Sequence, residues 1–280
     1  MSTITITIRN VPATTRGDLT ARAAAQASLP MYDFPELAQA HDQLWTKVRD
    51  RLGDLGIDAP ERLTRTDDVH ALWHAPELFL SQACGGPLIA ELDGRVRTLG
   101  AFRYRIPSAV GACYRSQIVT REQGPNLAAA SLGTAAVNSF DSLSGWTSLI
   151  RTFPSFGGRW PGRTIVTGSH AASLARLQEG SADIASIDGV TWALLRRMHP
   201  ALVDGLLVAA EGPLVPCLPL IAHPSMADEV VAGVRDALMW ATTITDGRSH
   251  LDQLLIEGFV PLDLADYSAV RDLAVSRPGG

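Results

Sequence analysis

The chain is 280 residues long, 46 % hydrophobic and 19 % charged, with a net charge of −5, a balance that suits a globular protein with one large core or two smaller ones. That acidity excludes a broad basic face, so nucleic acid or an anionic membrane is not the main partner, and no run approaches the ~20 apolar residues that span a bilayer. Three isolated cysteines without a C-x-x-C pair exclude a disulfide framework and a zinc site.

Residues 1–26 read as an N-terminal appendage. Thr3–Arg9 alternates polar and apolar side chains as a strand does, where a signal peptide would carry an apolar core. As written, the chain is therefore expected in the cytoplasm. Thr14–Ala27, rich in alanine and arginine, reads as a helix. A strand followed by one helix resembles the start of a ribbon-helix-helix DNA-binding arm, but Leu29-Pro30 opens something else where the second helix belongs. A start codon nearer Met31 accounts for the segment as well.

From Ala27 onward a pattern repeats: a short apolar strand ends in small or polar residues, and an amphipathic helix begins at once. Ala27–Tyr32 leads through Asp33-Phe34-Pro35, an aspartate cap and an early proline, into a helix with Leu37, His41, Leu44, Trp45, Val48 and Leu52 on one face. His70 and His74, four apart on a further helix, lack the glutamate of a zinc-protease motif and read as surface residues. Leu78–Cys84 runs into Gly85-Gly86-Pro87, and Arg95–Tyr104 and Tyr114–Arg121 are further strands. At the centre, Thr134–Val137 stops at Asn138, and Leu143, Trp146, Leu149, Ile150 and Phe153 then recur at helical spacing. Thr164–Gly168 enters the helix Ala171–Gly180, and Ala182–Asp188 enters Val190–Met198. Gly205–Glu211 and Cys217–Ala222 are strands, Met226–Ala241 is a helix, and Ser249–Gly258 is a weaker helical segment.

Such alternation predicts an α/β protein with largely parallel sheets flanked by helices. Ligands of these sheets sit at the carboxyl ends of the strands, which places Tyr32, Gln82, Ser142, Ser144, Ser169, His170 and Asp188 on one rim. The first amides of a helix lack internal partners and carry roughly half a positive charge. Ser142, Ser144 and the side-chain-free Gly145 beside them form a candidate cradle for a small oxyanion. Without that ligand the same residues serve as caps and turns. No P-loop, G-x-G-x-x-G or G-x-S-x-G occurs, so neither a cofactor nor a catalytic residue is expected.

Six blocks occur in order: Leu29–Asp33, Gln82–Leu88, Tyr114–Val119, Ala136–Asn138 with Asp141–Gly145, Gly168–Ser173 and Ala182–Asp188. Together they resemble the phosphate/phosphonate-binding family of ABC-transporter periplasmic solute receptors, over about Ala27 to Ala241. The resemblance implies a two-lobed type 2 periplasmic-binding-protein fold with a ligand gripped in the cleft between lobes. One lobe would be residues 27–110 plus 213–280 and the other 111–212, with hinge strands near 111–116 and 212–217. By resemblance Ser142, Ser144, Gly145 and His170 form the anion site, Leu143 stands where the family often has threonine, and Tyr32 is the aromatic after the first strand. Asp188 and Glu211 are the nearest candidates for an amine partner.

The leading reading is a solute-binding protein that captures a phosphonate-like or other oxyanion without chemistry, and by resemblance serves an ABC permease in the periplasm. One alternative is an enzyme on the same fold, with His170 as base to a serine nucleophile. The other is a ligand-sensing regulator dimerised through residues 1–30.

Overall fold

The computed structural model describes residues 25–244, 247–273 and 275. Most of the expected N-terminal appendage lies outside the described residues. Its last part does not: Gln26 and Ala27 open the strand Gln26–Ser28 instead of closing a helix.

Two five-stranded sheets carry the structure. The first runs in the order Gln26–Ser28, Leu78–Gln82, Pro219–Ala222, Arg97–Tyr104, Ile256–Val260. The second runs Leu206–Glu211, Gln117–Arg121, Ile184–Ile187, Ala135–Val137, Thr164–Val166. The sheets are mixed, not largely parallel. In the first, only Gln26–Ser28 and Leu78–Gln82 pair in parallel, while Pro219–Ala222 and Ile256–Val260 run against their neighbours. In the second, the strands around Ala135–Val137 are parallel, and Gln117–Arg121 is antiparallel on both sides. Hydrophobic runs reveal strands but not their direction. The antiparallel members here are Gln117–Arg121, with which the chain enters the second sheet, and Pro219–Ala222 and Ile256–Val260, which it adds to the first sheet after returning.

The strand Ile256–Val260 replaces the end of the expected helix Ser249–Gly258, which stops at Gln253. Leu255 takes a positive φ of 58°, so the helix cannot propagate through it, and Ile256 and Phe259 then bury into the first core. The predicted strand Tyr114–Arg121 is also broken, into Cys113–Tyr114 and Gln117–Arg121.

Side-chain alternation builds the second lobe. Ile118, Ala135, Val137 and Ile184 face one core with Trp146, Leu149, Ile150 and Trp160. Val119, Ala136 and Ala185 face the opposite core with Leu174, Leu177 and Trp192. Period-two burial on both faces is the signature of a sheet covered by helices on either side. The first lobe packs the helix Ala38–Asp54 through Ala40, His41, Leu44, Trp45, Val48 and Leu52, close to the face predicted. Asp33 does not cap that helix: its carboxylate takes the Arg65 guanidinium at 2.6 Å, and a 3₁₀ turn at Pro35–Leu37 leads the helix in.

The sheets communicate through a small ribbon in which Cys113–Tyr114 pairs with Val215–Pro216 and with Ala109–Val110. Where the lobes meet, Gly85-Gly86 abuts Asp141–Leu143. A Cβ on Gly86 would stand 2.2 Å from the Asp141 carbonyl oxygen, a backbone atom that cannot rotate away. Gly86→Ala is therefore expected to overpack the junction and cost about 1–3 kcal/mol, measurable by urea denaturation.

Candidate functional site

The cleft between the sheets is a cavity of about 440 Å³, within the range of roughly 300–1,000 Å³ typical of small-molecule sites. Its second-lobe wall is polar and begins where the buried strand Ala135–Val137 ends. Ser142 is extended, and its Oγ accepts the Gly145 amide at 2.9 Å. The first turn, Leu143–Thr147, is a π-helical turn in which Thr147 donates to the Ser142 carbonyl at 3.1 Å, and it continues as the α-helix Ser148–Thr152. Wide turns of this kind occur often at functional sites.

A short polar chain follows. The Ser142 and Ser144 hydroxyls lie 3.4 Å apart, and Ser144 Oγ lies 3.0 Å from His170 Nε2. His170 opens the helix His170–Gln178, which Ser169 caps by accepting the Ala172 amide. Burial pushes the His170 pKa below its ordinary value, against the pull of the nearby Asp188 charge, so the imidazole is neutral at pH 7. The Ser186 backbone also acts on its ring, while its Nδ1 and the Asn138 Oδ1 are buried with no hydrogen bond of good geometry among the described residues. An unpaired buried polar atom costs about 1–3 kcal/mol, so each calls for an explanation such as a bound ligand or water.

Asp188 has a different place. Its Oδ1 accepts the amides of Val190 and Thr191 at 2.9 Å each, capping the helix Gly189–Met198. Its Oδ2 accepts the hydroxyls of Tyr114 at 2.6 Å and Tyr32 at 3.2 Å. Burial, reinforced by the Asp188 charge, pushes both tyrosine hydroxyls well above their ordinary pKa, so both remain donors. The carboxylate thus joins the second sheet, the ribbon and the first lobe.

Of the residues the sequence singles out, Tyr32, Ser142, Ser144, Ser169, His170 and Asp188 line the cavity. Gly145, Gln82 and Glu211 do not. The Gly145 amide is engaged by Ser142, and a Cβ there would fall 1.9 Å from Asn138 Oδ1, so the glycine makes room for Asn138. Gln82 donates to the Tyr104 hydroxyl at 3.2 Å, and Tyr104 packs edge-on against Tyr32 with centroids 5.5 Å apart. Gln82 therefore supports the Tyr32 wall from behind. Glu211 lies on the exposed second-sheet edge, 3.5 Å from Gln117 Nε2.

Sequence reasoning missed Asn138, Asp141 and the apolar wall of the first lobe, including Met31 and Trp73. A strand-ending asparagine was the available signal for the first. Trp73 carried none beyond its helical spacing from Val69. His70 and His74 share the Glu91 carboxylate, at 3.0 and 2.7 Å, and His70 reaches the cleft mouth. No lining residue among those described is lysine or arginine, and the described residues contain no cluster of three metal-ligating side chains.

A family model described as the periplasmic substrate-binding protein of phosphonate ABC transporters matches residues 101–267. No curated protein matches the chain. Among solved structures, XAC2383 from Xanthomonas citri bound to ATP is similar at 17 % identity and TM-score 0.67, covering 90 % of this chain and 96 % of its own. PhnD1 from Prochlorococcus marinus in complex with methylphosphonate is similar at 12 % identity and TM-score 0.69, covering 89 % and 96 %. The periplasmic aliphatic sulphonate binding protein SsuA from Escherichia coli follows at 15 % identity and TM-score 0.60, covering 90 % and 86 %. These likenesses establish the two-lobed α/β fold.

Asp188→Ala should remove a cap and orphan two buried hydroxyls, lowering stability by about 3–6 kcal/mol. Tyr114→Phe should lose one charge-assisted bond, about 1.5–3 kcal/mol. Urea midpoints at constant slope would check both, and equal stability of Asp188→Ala and the parent would contradict the bridging role.

Proposed function

The chain belongs to the family of periplasmic substrate-binding proteins of phosphonate ABC transporters, and on that premise we propose that it captures one small oxyanion-bearing solute between its lobes. Capture would proceed without chemistry and serve a membrane permease. No helix among the described residues is long and apolar enough to cross a membrane, so transport would require that partner. The family as a whole is periplasmic, and we assign this protein to the same compartment.

The observation that carries the reading is the line Ser142–Ser144–His170 across two helix starts on one wall of the cleft. Hydroxyls and helix-start amides bind an anion by hydrogen bonds to charge, which are shorter and stronger than neutral ones. Such donors suit a site whose wall carries no lysine or arginine among the described residues. The Ser144–His170 contact also resembles a nucleophile with its base, but a triad needs a third group to orient the imidazole. Among the described residues no carboxylate hydrogen-bonds His170 Nδ1, which favours binding over turnover.

We place the hinge at the ribbon near residues 111–116 and 212–217, with one lobe at 27–110 plus 213–280 and the other at 111–212. Tyr114 sits on that ribbon and Tyr32 on the first lobe. Opening would then break the longer Tyr32–Asp188 bond and keep the shorter Tyr114–Asp188 bond as the pivot.

Two measurements test the proposal. Ser144→Ala should weaken oxyanion binding by about 10- to 100-fold, the value of one hydrogen bond to a charge, in a thermal-shift titration with phosphonates, sulfonates and carboxylates. No shift of the parent protein with any of them would reject the reading. The pH dependence follows from His170, whose pKa burial lowers. The imidazolium binds an anion better and exists only below that pKa. Affinity should therefore rise only as pH falls below the ordinary histidine range, towards the lowered pKa, and His170→Gln should flatten the rise.

A further inference from the structure

The cleft is two-faced. The side chains Ser142, Ser144 and His170 all come from the second lobe, whereas the facing wall, with Tyr32, His70 and Cys84 among its members, is otherwise built from apolar side chains of the first. Met31 and Phe34 come from the loop around the Pro30–Tyr32 turn, Val69 and Trp73 from successive turns of one short helix, and Leu218 from the approach to the strand Pro219–Ala222. Val69 and Trp73 stand four residues apart and so share one helix face. Trp73 is only 3 % exposed, and its indole N–H is tied to the Ser81 hydroxyl at 3.2 Å and the Gln82 carbonyl at 3.3 Å. The ring is therefore held in place with little surface of its own on the cleft, and the partly exposed apolar members of that wall are Met31, Phe34 and Val69. Met31, with a flexible and polarisable thioether, adapts to the shape laid against it.

Size points the same way. An inorganic oxyanion of about five heavy atoms, even allowing each the ~30 Å³ that a water occupies in the liquid, fills only about a third of a 440 Å³ cavity. Leaving the rest to water would keep the partly exposed side chains of Met31, Phe34 and Val69 wet, apolar surface that a ligand's body would cover.

From this asymmetry we infer that the solute is amphiphilic: an oxyanion head joined to an apolar, preferably aromatic, body. The head lies against Ser142, Ser144 and His170, and the body against Met31, Phe34 and Val69. Inorganic phosphate and methylphosphonate lack the body and are poor ligands. This inference rests on the oxyanion-binding reading above and narrows its substrate class. It also gives the first lobe a share in recognition, because closing that lobe removes the ligand's body from water.

Isothermal titration of the full chain with methylphosphonate, benzylphosphonate and benzenesulfonate tests it. Benzylphosphonate should bind at least tenfold more tightly than methylphosphonate. Met31→Ala and Phe34→Ala should shrink that ratio. The two variants change partly exposed residues, so at least one is expected to fold, and circular dichroism checks each. Equal affinity for methyl- and benzylphosphonate would overturn this inference and leave the anion site standing. Binding of neither phosphonate nor the sulfonate would overturn both readings together.

Discussion

One buried carboxylate holds the cleft together. Asp188 satisfies four donors at once: two amides at the start of its own helix and two tyrosine hydroxyls from other parts of the chain. In a low-dielectric interior an ionised acceptor is tolerable only when its lone pairs are engaged, and this one is engaged in every direction. The consequence is geometric. The helix Gly189–Met198 has a fixed start, the ribbon strand Cys113–Tyr114 is tied to it, and Tyr32 is drawn over the cleft. Because the carboxylate is consumed by the protein, it is a poor partner for an ammonium group on a ligand.

The same logic explains how an acidic protein with Asp141 and Asp188 in its cleft can receive an anion. No lysine or arginine among the described residues lines the cleft. The second-lobe wall offers neutral donors in fixed positions, and fixed dipoles in a partly dry site are worth more than mobile ones in water. The amide of Gly145 is not among them, since Ser142 already takes it. That internal bond orients the Ser142 hydroxyl, whose neighbour Ser144 in turn faces His170. The cradle is thus preorganised by its own hydrogen bonds, so ligand binding has less ordering to accomplish.

Much of this was legible in the chain. The strand–helix alternation, the faces of the long helices and the polar junctions at Ser142, Ser169 and Asp188 follow from local rules of periodicity and capping, and those rules act within a few residues. What was not legible depends on partners distant in sequence. Strand direction depends on which sheet a returning segment joins, as with Pro219–Ala222 and Ile256–Val260. Gln82 sits at a strand end like the other candidates, and only the packing of Tyr104 between it and Tyr32 takes it off the rim. Asp188 reads as a turn former because two of its four donors lie 74 and 156 residues away. Trp73 and Met31 look like ordinary core residues until the fold leaves a cavity beside them.

Leu143 shows how one substitution can move work from the ligand to the lobes. The resemblance places threonine between the two serines, where a third hydroxyl would join the anion site. Leucine gives up that hydroxyl, and the side chain crosses the junction and buries, 3 % exposed, in the core of the first lobe. There it lies so close to Gly85 that a Cβ on that glycine would be 2.7 Å from Leu143 Cδ2. A fully buried leucine contributes on the order of 1.5–3 kcal/mol of burial free energy, and opening the lobes would expose it. The closed form therefore gains from its own apolar contact some of what a hydroxyl would have gained from the ligand. If the solute carries the apolar body proposed for it, such a site depends less on the charge of the head group and more on how well that body fits beneath the first lobe.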